Sequence, residues 1–92
     1  MANDPAAAAP RESDSDGELV VRCLGGDQRA WRQLVVRYER LVYSVPRRLR
    51  LPDELVEDVF QETFLILLRQ LPRIERHEAL PKWLTTTARR VS

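Results

Sequence analysis

From Trp31 to Leu49 apolar side chains return every three or four residues: Trp31, Leu34, Val35, Tyr38, Leu41, Val42, Val45 and Leu49. That interval is the period of one face of an α-helix and excludes the alternation of a strand. It predicts a long amphipathic helix over roughly 28–49, with Asp27 as its N-cap. The opposite face carries Arg29, Arg32, Arg37, Arg40 and Arg47. Pro46 lies inside the pattern, where it removes one backbone donor and is expected to kink the helix or end it early. A stripe of this length needs apolar partners, so the rest of the chain must supply them.

The remaining segments do so with the same period. Ser15 and Glu18 have the spacing of a capping box, with Leu19, Val20 and Leu24 behind them, which predicts a short helix over about 16–24. Gly25 and Gly26 end it, because glycine tolerates the left-handed cap conformation. Pro52 suits the first turn of a third helix, and Asp53 and Glu54 favour its positive dipole end. Val56, Val59, Phe60, Phe64, Leu67, Leu68 and Leu71 form the apolar stripe of that helix, and Pro72 stops it. Residues 72–80 read as a polar loop. Pro81 opens a last helix holding Trp83, Leu84, Ala88 and Val91. No strand alternation and no internal repeat is visible. The fold class expected is therefore all-α, a small bundle of about four helices over residues 16–92. Residues 1–15 are expected to be a disordered tail, since Ala, Pro, Asp and Ser there show no apolar periodicity.

Length and composition set the outer limits. Ninety-two residues suffice for one small domain with a thin stability margin. The lone Cys23 can form no internal disulfide and has no second cysteine at metal-ligand spacing, which fits a reducing cytoplasm. The Ala-rich start lacks a basic region and is broken by Pro5 and Pro10, unlike a signal peptide. No apolar run approaches the ~20 residues that span a membrane.

The net charge of +1 conceals blocks of opposite sign. Residues 1–18 hold five acids and one base, and residues 19–50 hold eight bases and two acids. Residues 51–68 hold five acids and no base, and residues 69–92 hold six bases and two acids. Such segregation fits two differently charged partners, although solvated helix faces would look the same.

Catalysis finds no support. His77 is the only histidine and falls in the expected loop, and no Ser or Cys has a recognisable base. No glycine-rich phosphate loop exists, and no cofactor is expected. Two charged surfaces remain. Asp58, Gln61 and Glu62 stand at i, i+3 and i+4, on one face of the third helix and away from its apolar stripe. A carboxylate–amide patch of this kind suits Arg and Lys on a partner helix, and solvation is the plain alternative. In the last quarter, Arg69, Arg73, Arg76, Lys82, Arg89 and Arg90 surround the loop and the final helix, and arginine matches phosphate geometry. Trp83 reads as core rather than as a stacking platform, and His77 as an exposed bystander or a base contact.

Three segments together resemble a known family. Gly26-Asp27-Gln28-Arg29-Ala30-Trp31-Arg32-Gln33-Leu34-Val35-Val36-Arg37-Tyr38 is similar to the opening "G-D-x-x-A-F-x-x-L-x-x-R-Y" of region 2 in extracytoplasmic-function sigma factors. Glu57-Asp58-Val59-Phe60-Gln61-Glu62-Thr63-Phe64 resembles their "E-D-x-x-Q-E-x-F" core, and Trp83-Leu84-Thr85-Thr86-Thr87-Ala88-Arg89 their "W-L-x-x-I-A-R" segment. Order and gaps agree over residues 16–92. The resemblance implies a transcription-initiation domain, not an enzyme. Asp58, Gln61 and Glu62 would hold the clamp helices of the RNA polymerase β′ subunit. The loop from Pro72 to Leu80, with Arg73, Arg76 and His77, would capture a flipped base of the non-template −10 strand of promoter DNA. Lys82, Thr86, Arg89 and Arg90 on the last helix would lie near DNA backbone or bases. An anti-sigma factor is a further partner that the family commonly has.

Two positions depart from the family pattern. Arg90 stands where asparagine is frequent, and Thr87 where isoleucine is. Thr86 and Thr87 also occupy the places of a tryptophan pair that helps primary sigma factors open the duplex, so melting here would depend on base capture. Nothing in these 92 residues resembles region 4, the domain that reads the −35 element, and this stretch alone is not expected to direct initiation. The runner-up reading is a sigma-like helical interaction module without DNA function, whose charge blocks would drive self-association that salt dissolves.

Overall fold

The computed structural model describes residues 9–92. Four helices form: α1 (Asp16–Leu24), α2 (Gln28–Arg48), α3 (Asp53–Gln70) and α4 (Leu80–Val91). Among the described residues there is no strand. The expected bundle is thus present.

The helix starts follow from side-chain capping. Ser15 Oγ accepts from the Glu18 N–H at 3.1 Å, and Glu18 Oε1 accepts from the Ser15 N–H at 3.0 Å, which closes the capping box of α1. Asp27 Oδ1 accepts from the N–H groups of Arg29 at 3.0 Å and Ala30 at 3.4 Å, capping α2. The α1 stop is a Schellman turn. Gly26 takes φ 92°, its N–H reaches Cys23 O at 2.9 Å, and Asp27 N–H reaches Arg22 O at 3.0 Å.

The end of α2 repeats that turn without a glycine. Arg50 has φ 58°, its N–H donates to Arg47 O at 3.0 Å, and Leu51 N–H donates to Pro46 O at 3.2 Å. The helix passes through Pro46 and stops two residues later, so the proline marks the last turn. Pro46 itself is buried.

The core gathers Leu19 and Val20 of α1, Ala30, Leu34 and Val42 of α2, Val59, Phe64 and Leu67 of α3, and Leu80, Leu84 and Ala88 of α4. Trp31 meets Phe64 edge to face with centroids 6.2 Å apart, and Phe60 tilts against Phe64 at 4.9 Å. Thr63 is also fully buried, because its hydroxyl donates to Val59 O at 2.7 Å within its own helix. Leu49 and Leu68, placed on the apolar stripes by their spacing, are instead 54% and 51% exposed. Leu49 caps the end of α2 beyond its last helical residue, and Leu68 stands on the outer side of α3.

The segment between α3 and α4 is less of a polar loop than its composition suggests. It forms two 3-10 turns, Leu71–Arg73 and His77–Ala79. Leu71 and Leu80 are buried and Ile74 packs on the core, so both ends and the middle are pinned. Of the expected N-terminal tail, residues 1–8 lie outside the described residues. Arg11 and Glu12 are held to α2: Gln33 Nε2 donates to Arg11 O, and Arg37 Nη2 donates to Glu12 O at 3.0 Å. Asp16, at the head of α1, pairs with Arg37 Nη1 at 3.0 Å and accepts from Tyr38 OH.

Candidate polymerase and nucleic-acid interfaces

Two surfaces emerge from this packing, one on α3 and one on α4 with the turns before it. On α3, burial of Val56, Val59, Thr63 and Phe64 turns the other face of the helix outward. Asp58, Gln61 and Glu62 are all exposed there. They rim a groove of about 440 Å³ whose other walls are Leu51, Leu55, Leu65 and the α4 end at Val91 and Ser92. Leu55 and Leu65 are 47% and 51% exposed. Acidic and amide groups therefore alternate with bare leucines along one open strip. This strip offers a partner helix both charge-assisted hydrogen bonds and apolar burial. Leu55 and Leu65 stand off the apolar stripe of the helix, and spacing alone assigned them no role. Arg69 also belongs to this strip, not to the basic quarter of the chain. Its Nη2 lies 3.7 Å from Glu62 Oε2, and both side chains are largely exposed.

A buttress behind this face keeps α3 in place. Tyr43 of α2 stacks on Phe60 with centroids 4.1 Å apart and planes 9° apart. Its hydroxyl donates toward the Glu57 carboxylate, with Oε2 at 2.9 Å, and Arg47 covers its ring at 4.7 Å. Burial first, and then the Glu57 carboxylate, push the Tyr43 phenol above its ordinary pKa.

On α4, burial of Leu80, Leu84, Thr87 and Ala88 sets Lys82, Arg89 and Arg90 on the opposite, exposed side. Lys82, Thr86 and Arg90 line one shallow groove of about 290 Å³ with Ala79, Trp83 and Thr87. Trp83, Thr87 and Arg90 also border a second groove of about 410 Å³ with Ile66, Gln70 and Val91. The half-buried Trp83 thus packs on the core and still presents ring to both grooves. Gln70 and Ile66 of α3 are contributors that sequence spacing did not single out. Arg89 is exposed but lines neither groove.

The turns before α4 hold the other expected residues. Arg73 is exposed at the end of the first 3-10 turn. Arg76 is exposed and pairs loosely with Glu78 at 3.6 Å. His77 is not the exposed bystander that its polar context suggested. It is half-buried, and its ring lies against Gly17 of α1. Sequence spacing alone gives no sign of a contact between residues 60 positions apart.

Among the described residues no group of His, Cys, Asp or Glu could hold a metal ion, and no helix is long and apolar enough to cross a membrane. Cys23 is half-buried, and burial, with the Asp27 carboxylate adding to it, pushes its thiol up to about 11.

Comparison with known proteins gives one family. The description "Sigma-70 region 2" matches residues 34–92. The ECF RNA polymerase sigma-E factors of Escherichia coli (strain K12) and Salmonella typhimurium (strain LT2) are each 40% identical over 73 residues. That alignment covers 79% of this chain and 38% of each relative. The RNA polymerase sigma factor NccH of Alcaligenes xylosoxydans xylosoxydans is 32% identical over 69 residues, covering 75% of this chain and 37% of that protein. The chain therefore spans well under half the length of these curated relatives. No solved structure matches it.

Proposed function

The chain belongs to the Sigma-70 region 2 family, and from that premise we propose that it binds the RNA polymerase core through α3 and the promoter −10 element through α4 and the turns before it. Family membership, not the lack of a catalytic cluster, is what makes it a transcription factor domain and no enzyme.

One observation carries the polymerase half: Asp58, Gln61 and Glu62 share an open, leucine-walled groove on α3. The partner that fits is a helical hairpin rich in Arg and Lys, as the β′ clamp helices would be. Its apolar residues would cover Leu55 and Leu65 while its cations meet Asp58 and Glu62. For the DNA half, the supporting feature is the cationic outer side of α4. Lys82 and Arg90 bracket Thr86 along a groove that Trp83 helps to line. Lys and Arg at that spacing follow a phosphate backbone, and an aromatic lining suits an unstacked base. Extruding a base costs a few kcal/mol, which contacts from Arg73, Arg76 and the groove would offset, with His77 beside them in the turn. Duplex opening through base capture fits the threonines at 86 and 87. The working compartment on this reading is the cytoplasm, and an anti-sigma factor would compete for these same surfaces.

The decisive test is titration of this domain against an isolated β′ clamp-helix fragment, beside the triple variant Asp58→Ala, Gln61→Ala, Glu62→Ala. Saturable binding that the variant loses, at unchanged helical content, supports the polymerase partner. Absence of binding by the parent domain overturns it and leaves a sigma-like interaction module.

A further inference from the structure

The first turn of α1 packs where the DNA-facing turn becomes α4. Gly17 lies inside α1 and has no positive φ, so its backbone does not require glycine. Glycine within a helix is otherwise disfavoured. What favours it is space: a Cβ at Gly17 would stand 3.2 Å from His77 Nδ1 and 3.9 Å from His77 Cβ, close enough that the ring would have to give by a few tenths of an ångström. The imidazole therefore rests on bare backbone.

The backbone is tied down on both sides of this contact. On the α1 side, Ser15 and Glu18 close the capping box around Gly17, and Asp16 is tied to Arg37 at 3.0 Å and to Tyr38 of α2. On the other side, the His77 carbonyl accepts from the Leu80 N–H, the bond that leads into α4. Leu80 is fully buried and opens the helix that carries Lys82 and Thr86.

We infer that Gly17 of α1 seats His77, and that His77 is thereby a positioning residue that sets the turn and the start of α4 for the promoter strand. The inference rests on the reading that this turn and α4 meet the −10 strand. Displacing the ring would shift the carbonyl at which α4 begins, and with it the register of Lys82 and Thr86 against the DNA. The strip on α3 does not include this contact.

The test is a double-mutant cycle of Gly17→Ala and His77→Ala in the full 92-residue chain bound to core polymerase. The readout is preference for a −10-like single strand over a random one, with thermal unfolding of the same four proteins. Gly17→Ala alone should lose preference several-fold and gain no thermal stability, while the clamp-fragment affinity stays at the parental value. With His77→Ala already present, adding Gly17→Ala should leave preference unchanged and raise the melting temperature, as alanine ordinarily does in a helix. An equal thermal effect of Gly17→Ala in both backgrounds, or full preference in Gly17→Ala, overturns the inference alone. A parent chain with no preference at all overturns the DNA reading and this inference with it.

Discussion

Among the described residues, Arg50 is the one non-glycine with a left-handed backbone. It holds φ 58° at the end of α2, in the place that Gly26 fills at the end of α1. A left-handed residue with a Cβ costs about 1–2 kcal/mol, part of which glycine gives back in unfolded-chain entropy. Arg50→Gly should therefore stabilise the domain by about 0.5–1 kcal/mol. For a domain of this size that raises the melting temperature by roughly 2–8 °C, readable by circular dichroism. Asp27 makes the opposite case, a residue whose every contact agrees with its charge. Burial alone would raise its pKa. The N–H groups of Arg29 and Ala30 and the guanidinium groups of Arg22 and Arg29 outweigh that and hold it below the ordinary carboxylate value. Because the folded pKa is depressed, its contribution is present above the unfolded pKa of about 3.9 and is lost as pH falls through the folded value. Urea unfolding followed downward from about pH 6 should show this loss, and Asp27→Asn should flatten that part of the profile. A profile with the same slope in both proteins would mean that Asp27 does not report its cap.

At the scale of elements, the sequence was most informative where one residue type has one physical use. The bounds of α1 could be read from a capping box and a glycine pair, and the start of α2 from Asp27, whereas Pro46 was passed through rather than marking its end. Composition was least informative between α3 and α4. Polar residues there suggested a loop, yet buried Leu71 and Leu80 and the seat of His77 on Gly17 make it a pinned double turn. Those contacts join distant parts of the chain and leave no periodic trace. The two interfaces divide in the same way. Asp58, Gln61 and Glu62 share a face by helical spacing alone, whereas the leucine walls beside them depend on how α3 packs. On α4, spacing finds Lys82, Thr86 and Arg90, but only packing reveals that Gln70 of α3 joins Arg90 around Trp83. If α4 follows a single strand, each cation in contact with phosphate contributes about 0.7 to the slope of log affinity against log salt. Lys82→Ala should then lower that slope by about 0.7 and weaken −10-like and random strands alike. Thr86→Val, which keeps the charge, should leave the slope unchanged and act on preference only. A slope that stays constant in Lys82→Ala removes Lys82 from the backbone path.

In the whole molecule, the alternation of charge along the chain becomes a separation in space. The acidic run of residues 51–68 falls on α3, and the basic run after it falls on the turns and α4, except for Arg69, which stays on α3 beside Glu62. These helices pack against each other through Val59, Phe64, Leu67, Leu84 and Ala88. Their outer faces consequently diverge, and one small core presents an acidic strip and a cationic groove as neighbours. Two partners of opposite charge can then be held side by side, with Val91 at the border of both surfaces. The triple variant Asp58→Ala, Gln61→Ala, Glu62→Ala should lose clamp-fragment affinity by about tenfold or more, since one charge-assisted bond is worth at least about 1.4 kcal/mol. Its isolated affinity for single-stranded DNA should stay the same or rise slightly, because two negative charges have been removed. Lys82→Ala with Arg90→Ala should do the reverse, weakening DNA and sparing the clamp fragment. Measured by fluorescence anisotropy at one salt concentration, the four affinities form a cross. Loss of both partners in either variant, with helical content retained, would mean that the strip and the groove are one shared surface, as in the self-associating module and not in a promoter-recognition domain.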